Sequence, residues 1–299
     1  MAHLIQLRQK IKSIQTTKKI THAVRLVSMS LYARMEKQDV PLKRYVTTMQ
    51  QLFIRLSQCV SDWKSPFLLS EEATNTNPLV IIIGTSKGLC GSLNSNLFRY
   101  FESTFEFGDA KNLNIITIGQ KATKFMKEQT RGTLICSYAE LNSNNFITIA
   151  DDLVVKLKVS QFSSVVMYST ELKSFFVQKP FHTQIIPINS MQADRQAKIQ
   201  DQTYDQINDF DGLEEDSLIW EQDRYELLDY LAPQYLQSMI MHILFQALRA
   251  EHAARFLAME NSTANAEKYL EKLTLQYNKL RQSLITREVA ELCASFPTR

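Results

Sequence analysis

The sequence predicts an α/β protein with unusually long helices, in which the N- and C-terminal helices form an antiparallel coiled coil beside a small α/β lobe. The 299 residues contain only 7 glycines and 7 prolines, too few for the many turns of an all-β protein. Apolar residues recur at helical spacing at both ends of the chain, whereas short apolar runs alternate with helix-like stretches in the middle. These two patterns separate two terminal helices from a central lobe.

Residues 1–60 predict one long helix, the N-terminal shaft helix. Its apolar side chains recur three and four residues apart: Leu4, Leu7, Ile11, Ile14, Ile20, Val24, Val27 and Leu31. Pro41 is expected to kink or break this helix. Basic residues far outnumber acidic ones here, which fits either a solvated helix face or a helix that enters an acidic or polar collar.

Residues 75–190 predict the lobe. Three apolar runs, at 78–84, 112–119 and 163–169, predict buried strands, and helix-like stretches occur at 93–105, 121–129 and 147–159. Strands that alternate with helices indicate a small parallel or mixed sheet, so the lobe is expected to be Rossmann-like. The segments 175–178 and 183–188 suggest an added hairpin at one edge.

Residues 191–224 are rich in acidic and poor in apolar side chains, which predicts an exposed connector. Residues 225–299 predict the C-terminal shaft helix, with no glycine or proline between Gln234 and Phe296. At about 1.5 Å per residue such a helix is about 90 Å long, wider than a compact domain of this chain length. Two such helices can bury their apolar stripes against each other as an antiparallel coiled coil.

The sequence predicts no catalytic, cofactor-binding or metal-binding residues. The four cysteines, Cys59, Cys90, Cys136 and Cys293, are scattered without a CxxC pair and are expected to be reduced, buried thiols. No apolar run reaches the ~18 residues of a membrane span, and no secretory leader is visible at the N-terminus. The basic N-terminal segment lacks the interleaved aromatic residues of a nucleic-acid-binding module, so no nucleic acid is expected as a partner.

Two other function classes remain open from the residues alone. One is a serine hydrolase, because residues 84–88 match G-x-S-x-G after a predicted strand; Ser86 would be the nucleophile, His182 the base and Asp151 or Asp152 its partner. Few glycines, no oxyanion segment and the position of His182 inside the hairpin weigh against it. The other is a self-associating coiled-coil scaffold, which explains the helices but not the lobe.

Motifs along the chain carry a resemblance to a known family. They are IKSIQTTKKITHAVRLVSMS (11–30), KGLCGSLNSN (87–96), EHAAR (251–255), MENST (259–263), LTLQYN (273–278) and RQSLITRE (281–288). In this order and spacing they resemble the γ subunits of F-type ATP synthases, over nearly the whole chain and most densely at its ends. The sequence departs from the family pattern at Leu31, Ala33, Ser295 and Phe296, which indicates a divergent branch.

The resemblance implies a non-catalytic chain: the central rotor shaft of an F1Fo ATP synthase, which couples ion-driven rotation of the c-ring to ATP synthesis or hydrolysis in a surrounding hexamer. It implies the α, β and ε subunits and the c-ring as partners, no homo-oligomer, and a peripheral location on the cytoplasmic face of a bacterial inner membrane. The positions that match hexamer-facing residues of the family are Val24, Arg25, Arg255, Arg281, Gln282, Thr286 and Glu288.

Overall fold

Two long helices begin and end the part of the chain that the computed structural model describes, which comprises residues 2–60, 63, 78–105, 113–129, 132–160, 162–187 and 223–295. In chain order the elements are α1 (Ala2–Gln58), β1 (Pro78–Ile83), α2 (Leu93–Thr104), β2 (Asn114–Ile118), α3 (Gln120–Gln129), β3 (Thr133–Tyr138), α4 (Phe146–Ser160), β4 (Ser164–Ser174), β5 (Val177–Ile186) and α5 (Arg224–Ser295). The predicted acidic connector, 191–224, lies outside the described residues up to residue 222.

Helix α1 continues through Pro41, so of the expected kink or break the break is wrong, and the kink stays a prediction. A proline inside a helix removes one backbone hydrogen bond and crowds the preceding turn. Large side chains on both sides of it, Met35, Val46 and Phe53, are buried. Their packing holds the two parts of the helix in place and offsets the cost of the proline.

The lobe contains a sheet with the strand order β3-β2-β1-β4-β5. Strands β1 to β4 run parallel to one another, and β5 is antiparallel to β4. This mixed sheet with its helical connections confirms the predicted Rossmann-like α/β class. Strand β3 was not expected. The predicted hairpin of 175–178 and 183–188 is also wrong: both segments contribute to the single strand β5, which forms a hairpin with β4, and Phe175 and Phe176 form its turn.

Alternate side chains of the central strand β1 enter two separate cores. Val80 and Ile82 pack against α2 and α3 on one face of the sheet. Leu79, Ile81 and Ile83 face the other core, which includes α4 and the lobe-side parts of α1 and α5. Because both faces are covered, β1 is apolar at every position, which is why the sequence shows it as an uninterrupted run.

The chain divides into two compact units, and each of the two long helices contributes a part to both units. Unit 1 consists of Met1–Leu31 and Arg255–Arg299, and unit 2 of Tyr32–Ala254. The domain boundaries predicted from the sequence, near residues 60, 75, 190 and 224, were placed at the ends of secondary-structure elements instead, and they stay a prediction. Among the described helices, none contains a stretch that is apolar and long enough to cross a membrane.

The buried positions of α1 in unit 1 follow a strict heptad. Leu7, Thr21 and Ser28 are buried, and Ile14 is half-buried, at intervals of seven residues. The apolar stripe predicted from spacings of three and four leaves this seam after Ile14, so that Ile20 and Val27 are 57% and 59% exposed. The prediction was wrong there because a coiled-coil seam repeats every 3.5 residues, whereas the apolar pattern drifts around the helix.

The expectation of four buried thiols also needs correction. All four cysteines are free, as predicted, but only Cys90 is fully buried. Cys59 and Cys136 are half-buried, and Cys293, near the end of α5, is exposed.

Candidate partner-binding surface of the terminal helices

The two helix segments of unit 1 run antiparallel and meet along a polar seam. The Thr21 and Thr263 hydroxyls are buried and lie 2.9 Å apart, within hydrogen-bonding distance. Each hydroxyl also lies close to a carbonyl of its own helix, Thr21 to that of Lys18 at 3.0 Å and Thr263 to that of Met259 at 2.8 Å. Because a hydroxyl has one proton, one threonine donates to its own carbonyl while the other donates across the seam. Small hydroxyl side chains therefore fill the seam where larger apolar ones are usual, and their polar atoms all have partners.

Ion pairs flank these threonines. Lys18 Nζ lies 2.7 Å from Glu267 Oε1, and Arg25 pairs with Glu260. The hydrogen bond from Lys18, together with its charge, lowers the pKa of Glu267 below its ordinary value. All four side chains are partly or largely exposed, so solvent screens the pairs and they add orientation more than stability.

The predicted hexamer-facing residues on and near the seam are largely engaged within the chain. Val24 is half-buried. Arg25 contacts His22 Nδ1 at 3.2 Å in addition to its pair with Glu260. Arg255 is buried, with 8% of its surface exposed. These three residues present little free surface.

The other four predicted residues, Arg281, Gln282, Thr286 and Glu288, are exposed near the C-terminal end of α5. Apolar side chains stand among them: Ile285, Val289 and Leu292 are 47%, 53% and 60% exposed. Their spacing of four and three residues places them on one face of the helix, which we call the α5 tip face. In the sequence the same three residues form an apolar stripe that is out of phase with the rest of α5.

Helix α1 has a similar exposed apolar flank in unit 1. Ile20 and Val27 share one face of α1, and Val24 and Leu31 lie between this face and the seam. A protein rarely leaves contiguous apolar surface in water without a partner to cover it. Both helices of unit 1 therefore have outward surfaces suited to a surrounding protein.

The hydrolase hypothesis finds no support in the lobe. The Ser86 hydroxyl is buried and accepts a hydrogen bond from the Leu141 amide at 2.9 Å. His182 Nδ1 lies 2.9 Å from the Tyr100 hydroxyl. Ser86 and His182 thus bond different partners.

The two candidate acids are engaged elsewhere as well. Asp151 accepts a hydrogen bond from Gln237, and Asp152 bonds Lys156 and Tyr138. Across the described residues, no group of three or more His, Cys, Asp and Glu side chains is arranged to hold a metal ion.

A second polar cluster lies in unit 2, where Arg249 of α5 pairs with Glu36 and Asp39 of α1. His242 lies on the same helix, and its Nδ1 is buried without a hydrogen-bond partner. Burial lowers the pKa of His242; the charges of Lys43 and Arg249 act in the same direction, and those of Asp39 and Glu171 oppose them.

This histidine gives a pH prediction. Because its folded pKa lies below the ordinary 6.5, the unfolded chain binds more protons between the two values. The His242 contribution to stability is therefore complete above about pH 6.5 and is lost as the pH falls through the folded pKa. The difference in urea midpoint between pH 7.5 and pH 5 is expected to shrink in His242→Gln and to stay unchanged in the exposed control His3→Gln. Equal pH dependence in all three proteins would contradict this.

Comparisons with known proteins agree with the resemblance of the motifs. The family model described as "ATP synthase" matches residues 3–297. The ATP synthase gamma chain of Opitutus terrae is 30% identical and aligns over 99% of this chain and 98% of its own length. The gamma chains of Legionella pneumophila and Pelagibacter ubique are 28% and 26% identical, each over 98% of both chains.

Solved structures share the fold. A chain of the Euglena gracilis mitochondrial ATP synthase, from a structure of OSCP, F1 and the c-ring, matches with a TM-score of 0.66 and 18% identity over 98% of this chain and 93% of that chain. A chain of the Tetrahymena thermophila central stalk and c-ring matches with a TM-score of 0.58 and 19% identity over 81% of this chain and 98% of that chain. The family match and the relatives of full length settle the identity: this chain belongs to the ATP synthase gamma chain family.

Proposed function

We propose that α1 and α5 form the torque-bearing shaft of an F1Fo ATP synthase and turn inside a hexamer of α and β subunits. Membership of the gamma chain family makes this a non-catalytic stalk subunit of an ATP synthase, as predicted. Its part in ATP synthesis and ion transport is therefore mechanical, and the catalytic chemistry belongs to other subunits.

The observation that carries the proposal is the exposed apolar surface of unit 1, above all the α5 tip face. Ile285, Val289 and Leu292 leave apolar surface in water that a surrounding sleeve would cover. The neighbouring charges can be exchanged during rotation, since exposed ion pairs typically stabilise by less than ~1 kcal/mol each. A shaft needs this combination of apolar support and weak polar contacts.

We keep all seven predicted hexamer contacts as proposals and expect unequal effects from them. The exposed residues Arg281, Gln282, Thr286 and Glu288 can reach a partner directly. Arg25 is already paired within the chain and Arg255 is buried, so substitutions there are expected to act partly through the seam.

The lobe is the proposed attachment point for the ε subunit and the c-ring. Two of the similar structures are described as assemblies that contain a c-ring, which supports membership in such an assembly. The bacterial origin of the gamma chain relatives supports a peripheral location on the cytoplasmic face of an inner membrane.

Native mass spectrometry of the affinity-tagged chain, purified from detergent-solubilised membranes of its source, tests the proposal. We expect one copy of the 34.5 kDa chain in a much larger assembly with several copies of two nucleotide-binding subunits. A homodimer would instead favour the coiled-coil scaffold. Recovery of the chain only as a monomer or homodimer would refute the shaft.

A further inference from the structure

Arg249 is a buried cation in the interface between α1 and α5 of unit 2. Only 7% of its side chain is exposed. Its Nη2 lies 2.7 Å from Glu36 Oε2 and its Nη1 2.5 Å from Asp39 Oδ1. The two carboxylates are three residues apart and share one face of α1, so one guanidinium forks across a single turn of the opposite helix.

Further contacts hold this fork in place. The Tyr32 ring lies 6.0 Å from Arg249 Cζ. Phe175, in the turn between β4 and β5, packs edge to face against Tyr32, with the ring centroids 4.9 Å apart. The cluster thus connects both long helices and the lobe.

Arg249 lies where the packing of α5 changes in character. The buried residues before it are large, among them Leu244, Phe245 and Leu248. The buried apolar residues that follow in unit 2 are small, Ala250, Ala253 and Ala254, and the other buried side chain there is Glu251. Alanine side chains let two helices approach closely, but they are too short to interlock with the opposite helix. They therefore do not determine the axial position of one helix along the other. From this point, apolar packing alone defines the register weakly.

We infer that Arg249 is a positioning residue that fixes the axial register of α5 against α1. A slip of one heptad, about 10 Å, would separate the guanidinium from both carboxylates. It would leave the buried Arg249 guanidinium unpaired, which is strongly unfavourable, whereas Glu36 and Asp39 are 52% and 19% exposed and would lose less. The displaced register is excluded by this cost rather than by the shape of the alanines. This role goes beyond the shaft assignment and does not depend on the identity of the partners.

Disulfide cross-linking in the full chain tests the register directly. In a background without the four native cysteines, Thr21→Cys with Thr263→Cys reports the native register, because these hydroxyls lie 2.9 Å apart. Ser28→Cys with Thr263→Cys reports a slip of one heptad. Both α1 and α5 are continuous helices between these positions and Arg249.

With Arg249 present, we expect only the native cross-link. Arg249→Met should lower the ratio of native to shifted cross-link at least about tenfold, because the shifted register then no longer leaves a buried guanidinium unpaired. Arg249→Lys should rescue it in part, since an ammonium can pair with a carboxylate but cannot fork. Arg287→Met is the matched control: this exposed arginine pairs with Glu291 of its own helix, and its loss should leave the ratio unchanged.

A second variant keeps the test decisive if Arg249→Met folds poorly. Arg249→Met combined with Glu36→Leu and Asp39→Leu replaces the whole cluster by apolar side chains, a change that often preserves stability. A folded triple variant that yields both cross-links supports the inference. Native cross-link alone, in the folded fraction of either variant, overturns it. The readout needs no other subunit, so its failure leaves the proposed shaft function untouched.

Discussion

Three glutamates on the α5 tip face, in Ile285→Glu, Val289→Glu and Leu292→Glu combined, are expected to abolish binding of the chain to an isolated hexamer of α and β subunits. Fully burying an aliphatic side chain of this size contributes about 1.5–3 kcal/mol, and these three are only about half exposed, so covering them accounts for roughly 2–4 kcal/mol. Placing three carboxylates in the covered surface adds a desolvation cost of at least about 2 kcal/mol. Together these two effects weaken binding by about a thousandfold or more. The dissociation constant, measured by biolayer interferometry on the immobilised hexamer, checks this.

The chain offers a control with the same added charge on the same helix. Gln276→Glu, Ser283→Glu and Ala290→Glu place three glutamates at exposed, uncharged positions on the opposite face. We expect this variant to lose much less affinity than the tip-face variant. Both should keep the helical circular dichroism of the unaltered chain, because neither set packs in its cores. Equal loss in the two variants would mean that charge, and not the apolar face, governs binding.

A strand that is covered on both faces of the sheet could be predicted from the sequence. β1 is apolar at each position because two cores enclose it, and its predicted range, 78–84, nearly coincides with Pro78–Ile83. β3, Thr133–Tyr138, was missed because it is an edge strand. Its half-buried side chains alternate with exposed ones, and that weak pattern is carried by Leu134, Cys136 and Tyr138.

The pairing of the helices was predictable, but the seam was not. Apolar content pointed to Ile20 and Val27, whereas the buried positions are Thr21 and Ser28. A polar residue at a heptad position resembles a surface residue until its partner is known, and Thr21 finds its partner 242 residues away in Thr263. Arg249 was not recognised in the sequence for a similar reason, because its partners Glu36 and Asp39 also lie more than 200 residues away.

The exposed and the engaged members of the predicted hexamer-facing set were also indistinguishable in the sequence. Arg281 and Arg255 are both arginines within motifs of the family, yet one is exposed and the other buried. Burial depends on the opposite helix, whose register no local pattern specifies. The α5 tip face could have been found from sequence, since Ile285, Val289 and Leu292 form an apolar stripe out of phase with the rest of the helix.

Gly119→Ala is expected to destabilise the lobe by about 4 kcal/mol, the largest effect we expect from a single methyl group. Gly119 has φ +90°, and a Cβ there would lie 2.3 Å from the Gly84 carbonyl oxygen. Strain at such a φ costs about 1–3 kcal/mol, and overpacking adds about 1–3 kcal/mol. The backbone cannot easily yield, because the Gly119 amide donates to the Tyr138 carbonyl and the Gly84 amide to the Ile118 carbonyl, each at 2.8 Å.

Urea unfolding followed by tryptophan fluorescence measures this loss, and Gly88→Ala provides the control. A Cβ at Gly88 would meet only Lys121 Cε at 3.9 Å, so that substitution should change the free energy of unfolding by less than about 0.5 kcal/mol. Both variants add one methyl group at the same end of the sheet. The difference between their free energies of unfolding therefore reports the close approach of the ends of β1 and β2. Equal urea midpoints for the two variants would show that the strand ends are further apart than the 2.8 Å bond between Gly84 and Ile118 requires.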